Sequence, residues 1–275
     1  MRTLIIQHDH DGYAGALLAP LEAAGPVSFW RTYEQAERPD LEDHDAIVSL
    51  GGTAHPDQDG TEPWIAAELD LLEEALDLGV PILGVCLGGQ LLARAGGGSI
   101  HAVEQPEVAR FADVGLTREA DDDLLLAGMP RPFYGFEWHW YGFAPPPGAT
   151  VLARNDSTTQ AFRLQNRAWG LQFHIEVEAP ALAEWADAAP EVVEAHGGRA
   201  RFDKAVETFI DQSTAAAREL AERFAVVAAV SCGEVPADVL ASLEVRPDPI
   251  EQAAREGAPP EVLEAMRRLQ GEQRY

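Results

Sequence analysis

The segment Pro81-Ile82-Leu83-Gly84-Val85-Cys86-Leu87-Gly88-Gly89-Gln90 constrains this chain more than any other. An apolar run of strand type passes through G-x-C-x-G into a helical pattern, the cysteine form of the nucleophile elbow. A turn this tight strains its central residue, so close neighbours must lack side chains, and Gly84 and Gly88 meet that need. Cys86 then stands at a helix N-terminus, where the dipole favours thiolate. The amide of Leu87 points where an oxyanion forms on an attacked carbonyl. A cysteine in an apolar run is by itself more often a small core residue. Glycine on both sides, with the strand-to-helix switch at the cysteine, turns the reading to a nucleophile. Cys232 has none of these features and reads as structural.

Around the elbow, short apolar runs alternate with helical patterns, which predicts an α/β fold with a mostly parallel central sheet flanked by helices. Strands are predicted at 3–7, 27–31, 46–50 and 80–85, with helices at 13–24, 63–78 and 87–95. The second helix has its apolar stripe at Ile65, Leu69, Leu72 and Leu76, opened by Pro63 and closed by Gly79. Beyond Gly96-Gly97-Gly98 six strand-like runs follow, at 100–103, 108–116, 133–138, 150–154, 160–164 and 168–173. From 179 to about 230 the pattern is helical again. This divides the chain into a domain over 1–230 and an acidic C-terminal extension over 231–275, partly helical or disordered, with one amphipathic piece near 260–269.

Charge removes several function classes. The chain carries 46 acidic against 20 basic residues, a formal net charge of -26, which opposes nucleic acid and anionic membrane. Its only lysine, Lys204, follows no glycine-rich turn, so a phosphate-cradling P-loop is excluded. Two cysteines are too few for a disulfide framework. MRTLII is followed at once by Gln7, His8, Asp9, His10 and Asp11, leaving no signal-peptide core, and no apolar stretch has the length of a spanning helix. A cytoplasmic protein is expected. His8, His10 and Asp11 resemble a metal cluster, but no second group with ligand spacing accompanies them, so no metal and no cofactor is expected. The aromatic run from Phe133 to Phe143 is assigned to core packing and pocket lining rather than base stacking.

A cysteine nucleophile needs a base and a group to orient it. Gly170-Leu171-Gln172-Phe173-His174-Ile175-Glu176 supplies both. On a strand, residues i and i+2 share a face, so Glu176 can steady His174 while the other ring nitrogen faces Cys86.

Gly84-Val85-Cys86-Leu87-Gly88-Gly89-Gln90 together with Gln172-Phe173-His174-Ile175-Glu176 resembles the class I, triad-type glutamine amidotransferases, nearest to stand-alone relatives of the GMP synthase amidotransferase domain. Gly51-Gly52, Glu137-Trp138-His139 and Gln160-Ala161-Phe162-Arg163 extend the likeness, which covers about residues 3 to 230. The resemblance implies Cys86, His174 and Glu176 as the triad and the amides of Gly52 and Leu87 as the oxyanion hole. It also implies Gly51, Gln90, His139, Trp140 and Tyr141 at the substrate. Gln90, one helical turn beyond Cys86, is placed to line the same pocket; for His139 the residues alone leave a structural role equally open. The chain departs from the family pattern at Ile175 and Thr53, where proline is usual, and at Tyr141, where related stand-alone members carry an acid.

The implied reaction is hydrolysis of the L-glutamine side-chain amide through a Cys86 thioester, with ammonia passed to a synthetase on a separate chain. Two other functions compete. A γ-glutamyl hydrolase acting on other γ-glutamyl amides or peptides is favoured by Tyr141 and the lack of a synthetase motif; the glycine pair and Gln90 favour glutamine. A non-catalytic binding or regulatory module would have no need of an intact triad.

Overall fold

The computed structural model describes residues 1–34, 37–106 and 108–244. Its centre is a sheet of seven strands in the order β2-β1-β3-β4-β11-β10-β9. The first five of these, β2 (Val27–Arg31), β1 (Thr3–Gln7), β3 (Ala46–Ser49), β4 (Ile82–Val85) and β11 (Ala168–Leu171), run parallel, while β10 (Thr159–Leu164) and β9 (Thr150–Arg154) complete it antiparallel. The expected mostly parallel α/β sheet is therefore present.

Side-chain alternation explains why the inner strands read as unbroken apolar runs. Ile5, Val48, Leu83 and Trp169 belong to a core completed by Leu21 of α1 (Leu18–Ala24) and by Ala217, Leu220 and Phe224 of α6 (Arg199–Ser231). Leu4, Ile6, Ile47 and Ile82 face the other way, against α2 (Pro63–Leu78) and α3 (Leu87–Ala95). α2 spans the predicted residues because Pro63 opens it and Gly79, in the left-handed conformation at φ 69°, closes it. Its buried face includes Glu68 and Leu71 besides the predicted apolar stripe, and Leu69 is only half-buried.

Several boundaries differ from expectation. The predicted helix over 13–24 begins as a 3-10 turn, Gly15–Leu17, before α1. The run over 108–116 forms only β6 (Arg110–Asp113), paired with β7 (Tyr134–Glu137) outside the main sheet. Tyr141–Ala144, outside the predicted strands, is β8 and pairs with β5 (Ser99–Ala102). The helical region divides into α4 (Ala179–Ala188), α5 (Pro190–Ala195) and α6. Cys232 stands at the C-terminal cap of α6 as an exposed thiol. The start of the extension forms turns and α7 (Leu240–Glu244); the amphipathic piece near 260–269 lies outside the described residues. Among the described residues no helix is long and apolar enough to cross a membrane.

Candidate active site

β4 and β11 are neighbours in register, with Val85 opposite Leu171, so the residues that follow them emerge side by side. Cys86 is at the first of these exits, with φ 50° and ψ -108°, a conformation a non-glycine residue holds only where its surroundings enforce it. Enforcement is visible in the backbone. Cys86 N donates to Leu171 O at 2.8 Å, Gln90 N donates to Cys86 O at 2.9 Å, and Gly88 N donates to Leu50 O at 3.0 Å.

β11 ends at Leu171, so His174 and Glu176 are not residues of a strand, contrary to expectation; they lie in the segment beyond it, which bends at Gln172, Phe173 and Glu176. An isolated antiparallel bridge to β7 positions the histidine instead. His174 N donates to Phe136 O at 2.7 Å, and Phe136 N donates to His174 O at 3.1 Å. The two-residue spacing still brings the side chains together, with His174 Nδ1 2.7 Å from Glu176 Oε1. Both groups are buried, and the edge of the Trp185 indole meets the His174 ring with centroids 5.1 Å apart. Burial pushes the imidazole pKa down, but the Glu176 charge and then the contacts with Cys86 outweigh it and hold His174 well above the ordinary histidine range.

Cys86, His174 and Glu176 share a cavity of about 200 Å³ with Gly51, Gly52, Asp9, Tyr13, Trp138 and Trp185. At Gly51 a Cβ would lie 2.6 Å from His174 Cε1 and 3.5 Å from Cys86 Cβ, so only glycine allows the imidazole this close to the loop. Leu87 is buried at the first position of α3, where an amide has no intrahelical acceptor.

The remaining predicted residues stand farther from the sulfur. Gln90 is buried and does not line the cavity; its Nε2 donates to Tyr141 O at 3.0 Å and to Gln172 Oε1 at 3.2 Å. Gln172 Nε2 is in turn 3.8 Å from Cys86 Sγ, so Gln90 reaches the Cys86 sulfur through a second amide. His139 is buried against Glu137, Nε2 to Oε2 2.6 Å, and Trp140 and Tyr141 are exposed. None of these three lines the cavity. Phe133, Phe136 and Phe143 are core residues, as expected for the aromatic run, and Trp138 is the member that reaches the cavity. Trp185 and Asp9 were not foreseen: neither lies in a motif, and both are brought in by elements remote in sequence.

The residues that resembled a metal cluster diverge. The His8 ring is buried on Glu68, whereas His10 packs on Tyr33 with ring centroids 3.9 Å apart. Among the described residues no group of three or more His, Cys, Asp or Glu side chains is placed to hold a metal ion.

Comparison with known proteins identifies the family. The sequence pattern described as "Glutamine amidotransferase class-I" matches residues 9–181. A component of the glutamine-hydrolysing GMP synthase of Ignicoccus hospitalis is 33% identical over 143 residues, covering 51% of this chain and 71% of that protein. The glutamine amidotransferase-like protein YfeJ of Salmonella typhimurium is 28% identical over 188 residues, 66% of this chain and 78% of its own. The GMP synthase of Aeropyrum pernix is 38% identical over 116 residues, but the match spans only 22% of its length. Among solved structures, a glutamine amidotransferase of Thermotoga maritima superposes with a TM-score of 0.70 at 28% identity, over 82% of this chain and 98% of that one. A glutamine amidotransferase of Methylobacillus flagellatus gives 0.69 at 25% identity, over 82% and 92%. With the pattern matched across the elbow and the His-x-Glu segment, this chain belongs to the class I glutamine amidotransferase family.

Proposed function

We propose that this chain hydrolyses the side-chain amide of L-glutamine, with Cys86 as nucleophile, His174 as general acid and base, and Glu176 orienting His174. The observation that carries the reading is the convergence of a cysteine at φ 50° and a buried His–Glu pair on one cavity wall. His174 takes the Cys86 thiol proton, the sulfur attacks the δ-carbonyl carbon, and the carbonyl π electrons move to oxygen, where the amides of Gly52 and Leu87 donate hydrogen bonds. The oxyanion collapses, the C–N bond breaks, and His174 gives its proton to the departing ammonia. Water, deprotonated by His174, then cleaves the thioester to release glutamate and restore the thiol. Glu176 keeps one ring nitrogen engaged, so the other is left for the sulfur and the leaving group.

Relatives named as single components of a multi-chain GMP synthase support an ammonia acceptor on a separate synthetase chain. The amidotransferase domain is assigned to residues 1–230, since α6 packs along α1 and β6 and so belongs to the domain rather than to the extension. We place the protein in a reducing cytoplasm, where a thiol nucleophile stays free. One observation favours a second substrate: Tyr13, Trp138 and Trp185 give the cavity an aromatic side suited to a larger γ-glutamyl conjugate.

Ammonia release from L-glutamine, measured beside Cys86→Ala, tests the proposal. Release by the parent chain that disappears in the variant is expected. Release that survives in the variant rejects Cys86, and hydrolysis of γ-glutamyl amides with none of glutamine transfers the assignment to the second substrate.

A further inference from the structure

Another buried histidine–carboxylate pair, His8 with Glu68, lies under the loop that follows β3. His8 Nε2 is 2.7 Å from Glu68 Oε2, and Glu68 Oε1 accepts a hydrogen bond from Ser49 Oγ at 2.6 Å. The ring also packs on Trp64, with centroids 4.9 Å apart and planes inclined by 27°. His8 Nδ1 lies 3.2 Å from the carbonyl oxygen of Gly51. A carbonyl can only accept, so Nδ1 carries a proton and donates it. His8 and Glu68 are 4% and 0% exposed, so the pair is removed from solvent. Burial pushes the His8 pKa down; the charge and hydrogen bond of Glu68, followed by the Gly51 carbonyl, raise it above the ordinary range.

The Gly51 carbonyl and the Gly52 amide belong to one planar peptide unit, and this bond is trans, so the two groups point in opposite directions. Holding the carbonyl toward His8 turns the Gly52 N–H away from His8. Among the described residues that N–H donates to no protein acceptor. The other end of the loop is tied to the same strand exit: Thr53 N donates to Asp9 Oδ2 at 2.6 Å, and Thr53 Oγ1 to Asp9 Oδ1 at 3.2 Å. A Cβ on Gly52 would come within 2.7 Å of His8 Cβ and 2.9 Å of Leu87 Cδ2. Gly52 is thus packed closely against both His8 and Leu87, the other proposed oxyanion donor.

We propose that His8, held by Glu68 and Ser49, is a positioning residue that locks the Gly51–Gly52 peptide in the orientation that presents the Gly52 amide to the reacting carbonyl. It touches neither substrate nor sulfur. Two glycines in sequence give this peptide little intrinsic barrier to rotation, so an external hydrogen bond decides its orientation. The inference rests on the proposed role of Cys86, because only a tetrahedral oxyanion at that sulfur needs the amide.

The two ring nitrogens allow the roles to be separated. Asparagine at position 8 places an amide N–H near the Nδ1 position; glutamine places one near Nε2. His8→Asn and His8→Gln are made in the Glu68→Gln chain, where no unpaired charge is left buried, and that chain is the reference for both. Crystal structures and γ-glutamyl amide hydrolysis are then measured. His8→Asn is expected to keep the Gly51 carbonyl orientation and hold kcat within about tenfold of the reference. His8→Gln is expected to turn or disorder the peptide and lower kcat by about 10²- to 10³-fold, the range for loss of one oxyanion donor, with KM changed little. If both variants keep the peptide as in the reference, or lose kcat equally, the positioning role is overturned. If the parent chain hydrolyses no γ-glutamyl amide, the functional proposal fails by itself, and the peptide orientations alone decide the role of His8.

Discussion

Gly84 and Gly88 touch across the elbow: a Cβ built on Gly84 would lie 2.5 Å from the carbonyl oxygen of Gly88 and 2.6 Å from its carbonyl carbon. The contact is between two backbones, so no side chain can rotate to relieve it. It draws the first turn of α3 against β4 and leaves Cys86 between them in its φ 50° conformation.

Gly84→Ala therefore forces α3 away from the sheet. The expected loss of stability is about 1–3 kcal/mol or more, as for overpacking in a dense core, read from the urea unfolding midpoint. Reaction of Cys86 with an alkylating agent changes with it, because the sulfur leaves its place beside His174. Unchanged stability and unchanged alkylation would show that the elbow tolerates a methyl group there.

A pH dependence follows from His174, whose pKa in the folded chain stands well above the ordinary value of about 6.5. A raised histidine binds its proton more tightly folded than unfolded. Its contribution to stability is fully present below pH ~6.5 and is lost as pH rises through the folded value. His8, raised in the same direction, adds to the same slope. Unfolding midpoints measured from pH 5.5 upward (about one unit below the free value) should decline more steeply in the parent chain than in His174→Gln. Equal slopes would mean that the imidazole gains no proton affinity on folding.

Asp123 gives a contrasting prediction, for it is buried and does not line the cavity. Its carboxylate accepts from Leu125 N at 2.9 Å, Leu126 N at 3.1 Å, Arg163 Nη1 at 2.8 Å and Trp169 Nε1 at 3.2 Å. Asp123→Ala leaves a guanidinium and three N–H groups without their acceptor. A cost of about 3–5 kcal/mol is expected, with kcat of the fraction that remains folded close to the parent value. A stable variant with normal unfolding would remove Asp123 from the account of the fold.

How far the sequence could be read depended on the distance over which each feature is encoded. α2 was legible to the residue because Pro63 and Gly79 punctuate it locally. The elbow was legible because both glycines and the cysteine lie within five consecutive residues. β8 was missed because Tyr141–Ala144 lies within an aromatic run, and only its antiparallel pairing with β5 makes it a strand. The place of His174 was half-read: the i, i+2 spacing with Glu176 held, but the bridge to Phe136 that fixes it joins segments 38 residues apart. Glu68 was invisible as a buried partner, since nothing near it in sequence points to His8, 60 residues away. Gln172 stands two residues before His174 in the same motif, yet its contact with the sulfur emerges only when β4 and β11 are set in register.

The proposed reaction passes through a covalent intermediate on Cys86. Acid-quenched mixtures of the full chain with L-glutamine, or with a γ-glutamyl amide, can be digested and the cysteine peptides weighed by mass spectrometry. A gain of one γ-glutamyl group is expected on the peptide containing Cys86, absent from Cys86→Ala and absent from the Cys232 peptide. Ammonia released in the same reactions at undiminished rate by Cys86→Ala, or an adduct confined to Cys232, would contradict it.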